Sequence, residues 1–131
     1  MAGLVFDASA VISLVDSRDA RFEWAFSLLT IAPEEKFYIS ALTYAEVLVH
    51  PARGKKLNLF LRDFAQAGFE IVSLAEADSL EIANVRSITS LKTPDAVVVA
   101  LAIRLDAAIA TADLSLVAAA RAMKIGVFQP N

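Results

Sequence analysis

Short apolar runs alternate along this chain with longer stretches whose apolar positions recur every three or four residues. The first pattern is that of buried strands and the second that of amphipathic helices. Leu4-Val5-Phe6 reads as a short buried strand, followed by a helix through Ala10, Val11 and Leu14. Phe22, Phe26 and Leu29 stand at i, i+4 and i+7, one face of a second helix. Phe37-Tyr38-Ile39 is the next strand, with a helix from about Leu42 to Val49 ending in a break from His50-Pro51 to Gly54. Leu57, Phe60, Leu61 and Phe64 mark a further amphipathic helix that Gly68 ends.

Glu70-Ile71-Val72 is the third strand, and Ser73 with Glu76 is spaced as a capping box for the helix after it. Thr93-Pro94 opens a helix whose Ala96 to Ile103 run is apolar all round and is expected to be deeply buried. Ala107 to Ala110 is the fourth strand, Leu114 to Met123 a helix, and Ile125 to Phe128 the last strand. Five apolar strands separated by helices predict an α/β domain over residues 1–131, a five-stranded parallel sheet with helices on both faces. In such sheets ligands bind beyond the carboxyl ends of the strands, so the polar residues on that edge carry the functional question.

Four acids from four separate segments reach that edge. Asp7 directly follows the first strand, and Asp113 follows the fourth by a short turn. Glu46 lies one turn into the helix after the second strand. Asp95 opens the helix feeding the fourth strand, whose N-terminus faces the same rim. Each acid also has a structural reading: Asp7 or Asp113 as a helix cap, Thr93-Pro94-Asp95 as N-cap, N1 and N2, Thr43 to Glu46 as a capping box. Together they do more, because two carboxylates ~5 Å apart repel by about 3 kcal/mol at an effective dielectric near 20. Such a cluster must protonate or be neutralised by a cation.

Composition narrows the chemistry. The chain of 131 residues has no cysteine and one histidine, His50, which removes disulfides, thiolate sites and multi-histidine zinc sites. Oxygen ligands suit Mg²⁺ or Mn²⁺, and with such an ion the reaction class is phosphoryl transfer. With 57% hydrophobic and 21% charged residues, the chain is not disordered. The longest uncharged run, Trp24 to Pro33, is about half a membrane span. The N-terminus lacks a basic stretch and meets Asp7, so neither a signal peptide nor a membrane helix is expected, and the expected location is cytoplasmic. Net charge is −3, but setting aside the four rim acids leaves 11 acidic against 12 basic residues. The acidity therefore describes the rim and does not exclude a nucleic-acid partner.

Val5-Phe6-Asp7-Ala8-Ser9-Ala10, Ser40-Ala41-Leu42-Thr43-Tyr44-Ala45-Glu46-Val47, Lys92-Thr93-Pro94-Asp95-Ala96 and Thr111-Ala112-Asp113 together closely resemble the PIN-domain family. The similarity is greatest to the VapC-type toxin ribonucleases of VapBC toxin–antitoxin pairs. The resemblance implies a metal-dependent endoribonuclease cutting tRNA or rRNA with water activated by Mg²⁺ or Mn²⁺. It assigns the metal-binding, catalytic acids to Asp7, Glu46, Asp95 and Asp113, with Ser9 and Thr111 as auxiliary polar groups. It further implies a homodimer and a VapB-type antitoxin whose segment covers the active site. Ala112 stands where many relatives carry a polar residue, and Ser115 where many carry a further acid, which weakens or removes a second metal site.

Other readings fit less well. A response-regulator receiver needs adjacent acids after the first strand, where Ala8 follows Asp7. A haloacid-dehalogenase-type phosphatase needs an acid where Ser9 stands, and no Gly-rich phosphate loop is present. A noncatalytic module whose acids serve only as caps is the alternative of a different class. Arg53-Gly54-Lys55-Lys56 is the one dense basic run, a candidate RNA phosphate contact or a solvated turn. Arg86 is a candidate for contacting phosphate or pairing an acid, and His50 is expected to be structural or exposed. The aromatic residues at 22, 24, 26, 60 and 64 are expected to be mostly core, with any surplus on the early helices available to a partner.

Overall fold

The computed structural model describes residues 3–31 and 35–131. The elements are β1 (Leu4–Phe6), α1 (Ala8–Val15), α2 (Phe22–Ile31), β2 (Phe37–Ser40), α3 (Ala41–Arg53) and α4 (Leu57–Ala67). They continue with β3 (Glu70–Val72), α5 (Asp78–Ile88), α6 (Thr93–Leu105), β4 (Ala108–Ala110), α7 (Leu114–Ala122) and β5 (Val127–Phe128). Of the uncharged Trp24–Pro33 run, the part to Ile31 belongs to α2, while Ala32 and Pro33 lie outside the described residues.

All five strands are parallel, in the order β3-β2-β1-β4-β5. The chain builds outward from β1 on one side through β2 and β3, then returns to its other side for β4 and β5. The reversal falls between β1 and β4, where Val5 pairs with Ile109 and Phe6 with Ala110. A crevice opens at such a switch point because the flanking connections leave in opposite directions.

Strand alternation divides the interior into two layers. Leu4, Phe6, Ile39, Ala108 and Ala110 face α1, α2, α3 and α4, meeting Val11, Leu28, Val47 and Phe64. Val5, Tyr38 and Ile109 face the other way onto α5, α6 and α7, meeting Val85, Val98 and Leu116. Phe6 is fully buried and packs edge-on against Phe37 and Phe69 at centroid distances of 5.7 and 4.8 Å. Burying such a ring contributes about 1.5–3 kcal/mol. The edge strand β3 is covered less, and Ile71 is 46% exposed. Of the helix expected to be apolar all round, Ala96 to Ala102 are buried, but Ile103 at its C-terminal end is 40% exposed.

Several helix ends differ from expectation, each for a local reason. The helix expected to break at His50-Pro51 runs on through Pro51 to Arg53. Proline there removes only one donor, and Gly54 N to His50 O (3.0 Å) with Lys56 N to Pro51 O (2.8 Å) complete the turn. The capping box of Ser73 and Glu76 does not form. The helix starts at Asp78, whose carboxylate reaches back to Ala75 N at 2.7 Å and so does the work assigned to Glu76. Thr43 and Glu46 do not form a capping box either: Ser40 is the N-cap of α3, accepting from Thr43 N and donating to Thr43 Oγ1, both at 3.0 Å. Thr93 is the first residue of α6 and not its cap, which is Lys92.

Two glycines occupy backbone that side chains resist. Gly68 ends α4 in the left-handed conformation (φ 76°), as its position after the apolar run implies. Gly3 has φ 144° and lets the chain pass close to Lys36, whose carbonyl oxygen would lie 2.5 Å from an added Cβ.

Candidate active site

Asp7 leaves the end of β1 and is both the N-cap of α1 and the most buried acid, 4% exposed. Its Oδ1 accepts from Ala10 N at 2.9 Å and from Ser9 Oγ at 2.7 Å, and its Oδ2 accepts from Thr111 Oγ1 at 2.6 Å. The two hydroxyls in turn accept from the turn after β4: Ser9 Oγ from Ala112 N at 3.0 Å and Thr111 Oγ1 from Asp113 N at 2.9 Å. Each hydroxyl thus spends its proton on Asp7 and a lone pair on the neighbouring backbone. The ring of bonds ties the ends of β1 and β4 together and sets Asp7 beside Asp113.

Asp113 caps α7, its Oδ1 accepting from Ser115 N (2.9 Å), Ser115 Oγ (2.7 Å) and Leu116 N (3.4 Å). Those bonds, the Ser115 hydroxyl first, hold its carboxyl below the ordinary range. Asp7 behaves oppositely. Burial pushes its pKa up, the bonds from Thr111, Ser9 and Ala10 pull against that, and the charge of Asp113 adds to the rise.

Asp95, in the first turn of α6, and Glu46, on α3, complete the rim. Partial burial raises the pKa of Asp95, and the charges of Asp113, Asp7 and Glu46 raise it further, while Lys92 opposes them. Burial raises Glu46 as well, followed by the charge of Asp7. The expected four acids therefore share one electrostatic site, drawn from four segments of the chain. Each of Asp7 and Asp113 is at the same time a helix cap, as their structural reading expects, and capping does not take them from the shared rim.

Among the described residues, no three acidic or histidine side chains converge closely enough to form a ready-made metal cage. The donors nevertheless fit a hard divalent ion: all are carboxylate oxygens, their mutual repulsion calls for positive charge, and no described side chain of opposite charge forms an ion pair with any of them. Mg²⁺ keeps several waters and needs only one or two carboxylates directly.

The remaining sequence candidates lie apart. Arg53, Lys55 and Lys56 are exposed at the far end of α3, about 10 Å or more along the axis from Glu46 by helical rise. Arg86 pairs with no acid among the described residues: its Nε donates to Leu91 O at 3.2 Å and its Nη1 to Thr93 Oγ1 at 3.1 Å. His50 is exposed. Phe64 is core, but Phe26 is 51% exposed, stacked on Phe22 at 5.6 Å. These two rings and Leu14, Val15 and Leu29 line a groove of about 380 Å³ that α4 closes with Ala67. The resemblance implied Ser9 and Thr111 as auxiliary polar groups, but their ring of bonds with Asp7 was not legible along the chain, because it closes over 104 residues.

A family model for the PIN domain matches residues 4–122. Among curated proteins, no relative matches the chain. Solved structures share its fold: FitAcB from Neisseria gonorrhoeae is 24% identical, with 95% of this chain and 96% of that one covered and a TM-score of 0.68. DNA-bound VapBC from Salmonella typhimurium is 14% identical, with 98% of each chain covered and a TM-score of 0.73. The Mycobacterium tuberculosis toxin VapC20, described as sarcin-ricin loop cleaving, is 14% identical, with 89% of this chain and 95% of that one covered and a TM-score of 0.72. The chain belongs to the PIN-domain family and has the fold of its VapC-type toxins.

Proposed function

We propose that residues 1–131 act as one domain, a divalent-metal-dependent endoribonuclease that is the toxin of a type II toxin–antitoxin pair and cuts tRNA or rRNA. The observation that carries this reading is the meeting of Asp7, Glu46, Asp95 and Asp113 at the β1/β4 switch point, close enough for three of them to raise the pKa of the fourth. Such a site has excess negative charge and an affinity for a cation that also attracts phosphate. The family and the toxin–antitoxin neighbours support it.

Asp7, Asp95, Asp113 and Glu46 would hold Mg²⁺ or Mn²⁺, which when bound supplies a Lewis acid for the phosphodiester and acidifies water. Ser9 and Thr111 aim Asp7 by donating to both of its oxygens, and these bonds oppose the rise in pKa that burial imposes on it. Glu46 and Asp95, which accept no such bonds among the described residues, have pKa values raised by burial and by neighbouring acids, a penalty that a shared cation would relieve. Arg53, Lys55 and Lys56 would track phosphates along the same RNA. A VapB-type antitoxin is the natural occupant of the aromatic groove beside Phe22 and Phe26, and a homodimer the assembled form. No described helix is long and apolar enough to cross a membrane; the cytoplasm is the location this reading assigns to the toxin.

The test is cleavage of total cellular RNA by the purified chain, with Mn²⁺ or Mg²⁺ and with excess EDTA, for wild type and Asp7→Asn. Metal-dependent fragments that vanish in D7N support the reading. Equal cleavage in EDTA, or an undiminished D7N, overturns it.

A further inference from the structure

The connector from α5 to α6 is four residues long and is tied at Thr89 and Leu91. Thr89, the C-cap of α5, donates from Oγ1 to Val85 O at 2.8 Å and accepts from Leu91 N at 3.2 Å. Leu91 buries its side chain in the core at 5% exposure. Arg86, in the last turn of α5, then bridges the Leu91 carbonyl and the Thr93 hydroxyl with two different donors of one guanidinium.

The start of α6 is otherwise poorly secured. Its N-cap position is held by Lys92, which makes no side-chain cap bond, and Pro94 has no N–H. Thr93, the side chain best suited to capping, accepts from Arg86 instead. Yet this first turn carries Asp95, whose carboxylate is repelled by Asp113, Asp7 and Glu46. An uncapped helix end bearing a repelled charge has every reason to fray away from the rim. The opposite end of the antiparallel α5/α6 pair is closed separately, where Arg104 Nη1 donates to both oxygens of Asp78 at 2.8 and 2.9 Å. That clasp is remote from the acids. The Arg86 clasp grips the chain four and two residues before Asp95.

We propose that Arg86 is a positioning residue for Asp95: its planar fork takes the place of the missing cap, locking the connector to the first turn of α6 and so fixing the Asp95 carboxylate at the rim. This deepens the nuclease reading and rests on it. Lysine does not replace the fork, because a single ammonium lacks the fixed pair of directions that reaches both Leu91 O and Thr93 Oγ1. Thr93 separates bracing from direct phosphate binding, since removing its hydroxyl breaks the one bond of the clasp that reaches α6 and leaves the Arg86 charge in place.

The experiment measures Mn²⁺ affinity of the RNA-free protein by titration calorimetry, RNA affinity against salt, and amide hydrogen exchange over residues 95–97. The proteins are wild type, R86A, R86K, T93V, T93S and the R86A/T93V double variant. Bracing predicts a Mn²⁺ dissociation constant raised about tenfold in R86A, R86K and T93V. It predicts wild-type affinity in T93S, and a double variant no worse than either single one. Amides 95–97 exchange faster in the same three, while the salt slope of RNA binding stays unchanged. Wild-type Mn²⁺ affinity in T93V or in R86K overturns the proposal, as does an R86A variant that loses only RNA affinity and salt slope. A wild-type protein that binds no Mn²⁺ brings down the nuclease reading itself. Normal wild-type binding with indifferent variants removes the brace alone.

Discussion

Thr111 and Asp7, 104 residues apart in the chain, are joined by a 2.6 Å hydrogen bond from Thr111 Oγ1 to Asp7 Oδ2. The bond lies at the carboxyl ends of the two central strands, and both side chains are buried. It orients the acid on which the site is centred, and it supplies the donor without which a buried carboxylate is costly.

Thr111→Val keeps the shape and removes that donor. It also leaves Asp113 N without its 2.9 Å acceptor. The expected loss is about 1–3 kcal/mol, read by urea denaturation, with Thr111→Ser retaining most of the stability. RNA cleavage should fall with it. A Val variant as stable as wild type would mean that the 2.6 Å contact contributes nothing net.

The raised pKa of Asp95 has a definite sign in stability. A carboxyl whose folded pKa lies above its unfolded value makes its full contribution below the unfolded pKa. That contribution is lost as pH rises through the folded pKa. Without metal, Asp95→Asn should therefore be more stable than wild type at neutral pH, and the gap should close as pH falls into the ordinary carboxylate range. Thermal melts in chelator across that range give the comparison. Asp113 works in the opposite direction, its lowered pKa adding stability that is lost as pH falls through it. A D95N variant no more stable than wild type at pH 7 would contradict the repulsion.

Divalent metal should reverse the same penalty. Mn²⁺ at about a hundred times its dissociation constant stabilises the fold by about 2.7 kcal/mol, visible as a raised Tm. The shift should disappear in Asp7→Asn and shrink in D95N. An equal shift in all three proteins places the ion elsewhere.

Ser40 secures the helix that carries Glu46, accepting from Thr43 N and donating to Thr43 Oγ1 while fully buried. Ser40→Ala should cost about 1 kcal/mol in chemical denaturation. Replacement by Asp or Asn, which also cap, is expected to rescue poorly because Ser40 is fully buried, so the larger polar group would be buried with it. A silent Ser40→Ala would assign the N-terminus of α3 to packing alone.

The basic end of α3 is tested through salt. Replacing Arg53, Lys55 and Lys56 with alanine should reduce the slope of log affinity against log salt by about 2 if all three contact single-stranded RNA phosphates. An unchanged slope leaves them as a solvated turn. Fold stability should stay within about 0.5 kcal/mol, since all three side chains are exposed.

What could be read from the chain itself was set by local rules. The apolar runs Leu4–Phe6 and Glu70–Val72 are strands with those bounds, and Gly68 ends α4 in the left-handed turn that its lack of a Cβ allows. Strand and helix alternation determined the parallel sheet, and the acids' places just after strands or at helix starts determined their common edge.

Other features depended on partners far along the chain. The order β3-β2-β1-β4-β5 put β4 beside β1, and only then does Thr111 reach Asp7 and Ala112 N reach the Ser9 hydroxyl. Arg104 engages the Asp78 that starts α5, and Arg86 engages Thr93, which the local pattern reads as a cap. Pro51 stayed inside α3 because later backbone donors closed the turn around it. Sequence determined which residues seek burial and which resist it, since those preferences are properties of each side chain and its near neighbours. The tertiary structure decided which polar groups satisfy one another, because a hydrogen bond needs its partner within about 3 Å and the chain brings such partners together only by folding.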